Sequence, residues 1–380
     1  MNPSPPVTAP EPPAPAIRPR TEADPGWAAT PRRPVRAAIA GLGAAFPQSI
    51  TQAEAWETYF SEHYGGSRGA RAIWRRCGVE RRHHVVDPRV ESDLPNWTTE
   101  QRMRRFGDAA FELSLAASKA ALQEAELEAS DVGHLTVVSC TGYGLPGVDI
   151  RLVHELRMRP ETQRLHIGHM GCGGAVPGLT ATTDAATARG KVGLLICVEL
   201  PSLHIQPANR DVEQALTHAL FSDAASAVAV VPGAAGLEIV DFASVTDGDS
   251  MELARLDITD HGFVMGLSTA VPGVIRRHVE ETAEAVLARN GLAMGDLAAW
   301  AVHPGGPAVL DAVEERLELP PAALEVSRAV LREHGNCSSA TVLVVLEEIC
   351  RRMDLARGEH VMLMAFSPGI TLHAVLLRQT

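Results

Sequence analysis

Residues 168–175 read Gly-His-Met-Gly-Cys-Gly-Gly-Ala, and the fold is read outward from them. Upstream, RLHIGHMG (164–171) is a short strand running into a glycine turn. Downstream, AVPGLTATTDAATARG (175–190) is a helix of small residues. Farther out the same alternation continues. VRAAIAGLGAAFP (35–47) reads as a strand and a turn, residues 51–63 and 101–127 carry helical periodicity, and HLTVVSC (134–140) is a buried-type strand. VDIRLVHELRM (148–158) is an amphipathic helix, and VGLLICVEL (192–200) and SAVAVVP (226–232) are buried strands. Strands alternating with helices predict an α/β fold.

The second half repeats the order. Residues 296–319 read strand, polar turn, helix; residues 331–353 read as a turn opening a long helix; EHVMLMAFSPG and ITLHAVLLR close the chain as two strands. Two local matches link the halves. Cys172 and Asn336 each follow a glycine and open a helix, and CTGYGLPGVDIRLVHEL parallels VHPGGPAVLDAVEERL. This predicts an internal duplication whose corresponding turns meet at a shared centre.

Composition narrows the class. The 380 residues are enough for a large core and two core-bearing halves. A formal net charge of -12 disfavours general nucleic-acid binding, which needs a basic face. Six cysteines (77, 140, 172, 197, 337 and 350) are scattered without a CxxC pair and read as reduced thiols of a cytoplasmic protein. The N-terminus shows no basic start followed by an apolar run, and no stretch reaches the roughly 18 apolar residues of a membrane span. Residues 1–34, rich in Pro, Ala and charge, predict a disordered or loosely attached arm.

Three residues stand out chemically. Cys172 lies between strand and helix among small neighbours, where a helix N-terminus lowers a thiol pKa and makes it a nucleophile; its other reading is a small buried hydrophobe. His303, in AAWAVHPGGPAVLD, ends an apolar strand before a Pro-Gly-Gly turn. It could serve as base for Cys172 and donor to an oxyanion, or be a solvated loop histidine. Asn336 in HGNCSSATV is either a helix N-cap or a neutral donor to an enolate. Other signals are weaker. His166, His169 and Cys172 have metal-like spacing but would not all face one way on a strand and turn, so no metal site is expected. GLGAAF (41–46) places Phe46 where a dinucleotide fingerprint has its third glycine, and no GxSxG occurs. Arg75, Arg76, Arg81 and Arg82 form a basic run that is either a solvated face or a phosphate site.

Together these stretches resemble the type III polyketide synthases, the chalcone-synthase-like branch of the thiolase-fold condensing enzymes, in a bacterial form. The resemblance runs from about Val35 to the C-terminus. It is carried in order by CTGYGLPGVD (140–149), GHMGCGGA (168–175), ALFSDAASA (219–227), VPGVI (271–275), HPGGPAVLD (303–311), GNCSSA (335–340) and FSPGITLHAVLL (366–377). It implies a thiolase-like fold with two duplicated halves in five αβαβα layers, a half at 35–240 carrying the nucleophile, and a half at 241–380 carrying His303 and Asn336. It implies that Cys172 takes an acyl group from a CoA starter, that malonyl-CoA extends it iteratively through an enolate held by His303 and Asn336, and that cyclisation to an aromatic or pyrone product follows. No cofactor beyond the CoA thioesters is implied, and the assembly implied is a homodimer.

Phe221 matches one gatekeeping phenylalanine; Met265 departs from the second. Leu145 matches the residue that crosses the dimer interface. Cys140, threonine in plant enzymes, together with SLHIQP (202–207), resembles the bacterial tetrahydroxynaphthalene synthases. Thr141, His204 and Ser338 are implied to line the pocket, and Arg75 to Arg82 to lie near CoA phosphates. Ser222, Ala224, Ala365 and Ser367 stand where glycines are usual, which bears on cavity shape. The rival readings are a ketoacyl synthase III-like enzyme using a carrier protein, a non-catalytic acyl-binding paralogue, and a cysteine hydrolase of thioesters.

Overall fold

Among the described residues thirteen strands alternate with helices. In the computed structural model, residues 36–207 and 211–380 are described; the arm expected at 1–34 lies outside them. The strands are β1 (Ala37–Ala45), β2 (Ser49–Thr51), β3 (Arg81–His83), β4 (Val132–Val138), β5 (Gln163–Ile167), β6 (Val192–Glu199), β7 (Ala224–Pro232), β8 (Leu237–Thr246), β9 (Ala254–Thr259), β10 (Gly262–Leu267), β11 (Leu297–Val302), β12 (His360–Ser367) and β13 (Thr371–Gln379). Nine of them join in the order β11-β12-β13-β8-β1-β7-β6-β4-β5.

The duplication is visible in the pairing. Outward from β1 the partners run antiparallel to β7, antiparallel to β6, then parallel to β4. Outward from β8 they run antiparallel to β13, antiparallel to β12, then parallel to β11. The two series touch only where Ala38 and Ile39 of β1 meet Glu238 and Leu237 of β8.

Strand alternation then sorts the core into layers, because successive side chains point to opposite faces. On β6, Leu194, Ile196 and Val198 join one apolar cluster, while Leu195 and Cys197 join a second. On β12, Val361, Leu363 and Ala365 join that second cluster, while Met362 and Met364 join a third. The shared second cluster holds the helices Ala175–Arg189 and Thr341–Arg352, through Leu179 and Ala186 and through Val342 and Leu346. The helix Thr99–Glu124 covers the outer face of one half. The helices Val271–Arg289 and Pro307–Arg316 cover the outer face of the other. Five layers result: helix, sheet, paired helices, sheet, helices. This is the thiolase-like arrangement that the sequence implied.

One boundary differs from expectation. Residues 331–334 do not open the last long helix; they end a separate one, Glu325–His334. The break falls at Gly335, whose positive φ of 72 ends that helix ahead of Asn336. Among the described residues no helix is long and apolar enough to cross a membrane.

Close approach of β1 to the Thr99–Glu124 helix depends on glycine. A Cβ on Gly41 would overlap the carbonyl oxygen of Ala121 and lie 2.8 Å from the amide nitrogen of Ala125. Both obstacles are backbone, so neither can rotate away. Gly41→Ala should cost roughly 1–3 kcal/mol. The expected reading is a lower urea midpoint at an unchanged m-value; an unchanged midpoint would show that helix and strand can separate freely.

Candidate active site

Both turns expected to carry chemistry lie where the chain enters the middle-layer helices. Gly171–Gly173 forms a tight 3-10 turn ahead of Ala175–Arg189, with Cys172 at its centre. Ser338–Ala340 forms the matching turn ahead of Thr341–Arg352. Each turn follows or contains a non-glycine residue in the left-handed region: His169 at φ 61 and Ser338 at φ 49. Such conformations persist only where surrounding structure enforces them. Gly173 cannot carry a side chain, because a Cβ there would lie 2.8 Å from Cδ2 of His373 and collide with Ser367.

Asn336 is held by backbone. It forms a parallel bridge with Phe221, donates its N–H to Leu220 O at 2.9 Å, and accepts from Ser222 N–H at 2.9 Å. Its Oδ1 accepts from the N–H of Ser338 at 2.9 Å, which leaves its amide hydrogens to point elsewhere. The Cys172 thiol lies in hydrogen-bonding reach of the Ser338 and Asn336 side chains. The sequence expectation that Asn336 opens the long helix is therefore corrected: it sits ahead of the 3-10 turn, pinned to Phe221.

His303 follows β11, its N–H donating to Met364 O on the parallel neighbour β12 at 2.8 Å. It is 1% exposed, and neither ring nitrogen has a hydrogen-bond partner among the described residues. Two buried nitrogens left without a partner are costly.

A cavity of about 220 Å³ opens above Cys172. Cys140, Thr141, His204, Phe221, Met265 and Ser338 all line it. His204 is fixed from two sides: its Nε2 pairs with Thr141 O at 2.6 Å, its Nδ1 accepts from Phe263 N–H at 3.0 Å, and its ring stacks on Phe263. Leu145 is not at the cavity; it is 96% exposed, after which a cis Leu145–Pro146 bond turns the chain. Arg75, Arg76 and Arg81 are exposed and do not line the cavity. Arg82 is the exception in that run. It is buried in the cavity wall and donates to the carbonyl oxygens of His218 and Phe221, so its guanidinium does not project outward to meet a CoA phosphate.

Burial sets the electrostatics. It pushes the Cys172 thiol up to about 11, against the downward pull of hydrogen bonds from Ser338 and Asn336. It pulls the His303 imidazole down to about 3. The helix N-terminus expected to lower the thiol is outweighed, because removing a thiolate from water costs more than a helix end returns. Both groups favour their uncharged forms.

Sequence reasoning missed Glu199. This buried carboxylate ends β6 and accepts from Ser339 Oγ at 2.5 Å, Thr141 Oγ1 at 2.7 Å and Cys140 N–H at 3.1 Å. Burial raises its pKa. The available signal was a lone acid closing the apolar run Val192–Val198. The turn Trp56–Phe60 was also missed; it is π-helical, and Thr58, Tyr59 and Phe60 line the cavity. Among the described residues no group of three or more His, Cys, Asp or Glu is placed to hold a metal.

Comparison with known proteins decides what this geometry belongs to. Residues 29–234 match the N-terminal domain of the chalcone and stilbene synthases, and residues 245–380 match their C-terminal domain. The chain belongs to the chalcone and stilbene synthase family. It is a type III polyketide synthase, an acyltransferase whose family takes CoA thioesters as substrates and needs no additional cofactor. It is 36% identical over 319 residues to a 1,3,6,8-tetrahydroxynaphthalene synthase of Streptomyces peucetius subsp. caesius, covering 81% of this chain and 84% of that one. It is 31% identical over 366 residues to type III polyketide synthase 21 of Oryza sativa subsp. japonica, covering 90% and 94%. The crystal structure of the tetrahydroxynaphthalene synthase of Streptomyces coelicolor A3(2) superposes with a TM-score of 0.84 at 28% identity, covering 90% of this chain and 99% of that one.

The Ser338 hydroxyl pulls the Cys172 thiol pKa down, so its removal should raise that pKa further. A hydrogen bond is worth roughly 1 kcal/mol, and one pKa unit is about 1.4 kcal/mol. Ser338→Ala should move the pH profile of Cys172 alkylation by iodoacetamide upward by about 0.7 of a pH unit. At fixed pH the thiolate fraction falls and alkylation slows; a profile that stays put or moves downward would show that Ser338 does not stabilise the thiolate.

Proposed function

We propose that this polyketide synthase builds its chain on Cys172, with His303 and Asn336 completing the catalytic set. The observations that carry the reading are a thiol that lines the cavity and feels the Ser338 and Asn336 side chains, and a buried imidazole with neither ring nitrogen partnered among the described residues. As an acyl-CoA enters, the thiol proton passes to His303. The sulfur attacks the thioester carbonyl, the CoA–acyl bond breaks, and the CoA thiolate leaves with the proton from His303. Malonyl-CoA then takes the vacated place and loses CO₂. The negative charge left behind spreads onto its thioester oxygen, where Asn336 and His303 donate to it. The enolate carbon attacks the acyl group on Cys172, a carbon–carbon bond forms, the carbon–sulfur bond breaks, and the chain is two carbons longer.

The product proposed is of the tetrahydroxynaphthalene type, primed by malonyl-CoA. Cys140 and the SLHIQP stretch support it, together with the two Streptomyces relatives. Arg75, Arg76 and Arg81 are proposed for the CoA phosphates, on their exposure and charge. A cytoplasmic homodimer is proposed, on the 96% exposure of Leu145 and the exposed apolar Tyr143 and Ile150 beside it.

The test is mass spectrometry of products from malonyl-CoA alone and with added acyl-CoA starters. A pentaketide from malonyl-CoA alone supports the product; products only with an added starter overturn it and keep the mechanism. Cys172→Ala should abolish product, and an undiminished rate would refute the nucleophile assignment. Asn336→Ala should slow malonyl-CoA decarboxylation by about 10²–10³-fold while slowing acyl loading far less. Equal loss in both steps would count against the enolate role.

A further inference from the structure

Arg82 is a cation in the wrong place for a solvated basic run. Its neighbours Arg75, Arg76 and Arg81 are exposed, whereas Arg82 is 8% exposed and forms part of the cavity wall. An arginine stays protonated there, and a buried charge demands compensation. Its compensation is partial. Nη1 donates to His218 O and Nη2 to Phe221 O, the free carbonyls at the C-terminal end of the helix Val212–Leu220. A helix C-terminus carries only about half a negative charge. The rings of Phe60 and Trp74, 5.9 and 5.4 Å from the guanidinium carbon, add a weak attraction.

No carboxylate among the described residues forms an ion pair with it. Asp223 is a carboxylate whose charge it feels, but the oxygens of Asp223 accept from Ser202 N–H at 2.8 Å, Ser202 Oγ at 2.5 Å and Val85 N–H at 2.8 Å. The histidines nearby add no negative charge. A guanidinium has five N–H hydrogens in a planar fork. Two are used, and the described residues supply no acceptor for the rest.

We propose that Arg82 is the anion-recognising group of the cavity, binding two oxygens of a delocalised anion on the acyl chain carried by Cys172. That anion is a terminal carboxylate of the starter or the 1,3-diketone enolate of the growing chain; both present paired oxygens to a forked donor. The inference rests on the reading that Cys172 carries the chain, and it names the chemical class the cavity selects. It also gives the inward placement of Arg82 a purpose beyond capping a helix, which a neutral donor could do.

The experiment uses the full-length protein. Succinyl-CoA and butyryl-CoA compete for Cys172, and intact mass reads the two adducts. Butyryl-CoA with malonyl-CoA then reads product length. For a carboxylate, the wild-type adduct ratio should favour succinyl by about tenfold or more; Arg82→Met should bring it near one and Arg82→Lys should keep part of it. For an enolate, the ratio is near one in the wild type, but Arg82→Met releases shorter chains and Arg82→Lys restores part of the length. A wild-type ratio near one, with the same product lengths in wild type and variants, overturns the proposal. Should Arg82→Met not fold, the wild-type ratio and the Arg82→Lys product lengths decide by the same criteria. No adduct from any CoA thioester defeats the assignment of Cys172 and the proposal with it, an outcome distinct from adducts formed without selectivity.

Discussion

Everything at the site depends on two helices packed against one shared core. Ala175–Arg189 and Thr341–Arg352 lie between the two sheet halves, and their apolar faces fill one shared cluster. A helix buried this way still has unpaired N–H groups at its start. The chain must therefore enter each helix through a turn that satisfies them or uses them. The Cys172 turn and the Asn336 turn are those two entrances. Their meeting is a consequence of packing two copies of one strand-turn-helix unit back to back.

Burial also decides the charge state of the two groups. Cys172 is pushed toward the thiol and His303 toward the neutral imidazole, each by loss of water. A proton passing from one to the other leaves the net charge of the pocket unchanged. That transfer is favoured by whatever stabilises the thiolate, here Ser338 and Asn336, and by whatever accepts from the imidazolium, such as a thioester oxygen. A dry site strengthens both interactions relative to water. Glu199 works differently: it accepts from Thr141, Cys140 and Ser339, and it ties β6 to the segments at Cys140 and Ser339.

The wall of the cavity comes from parts of the chain that are far apart in sequence. Phe221 is bonded to Asn336 through the backbone, and Arg82 reaches Phe221 from β3. Phe221 is thus linked to Asn336 on one side and to a buried cation on the other. Substitutions at Arg82 should be felt at both.

The amino-acid sequence by itself determined the alternation of strands and helices, the duplication and the family, and it singled out Cys172, His303 and Asn336 as candidates. These are local facts: periodicity, glycines at turns, and short motifs in order. Hydrophobic period and turn chemistry act over a few residues, so one chain is enough to read them. Tertiary structure alone decided that Arg82 turns inward while Arg75, Arg76 and Arg81 stay out, since β3 and the end of the Val212–Leu220 helix meet only in the fold. It alone showed Glu199 beneath Cys140, the π-helical turn at Trp56–Phe60, and the direction in which burial moves the Cys172 thiol. Desolvation depends on what surrounds a group in space, and that is set by contacts between residues more than a hundred positions apart.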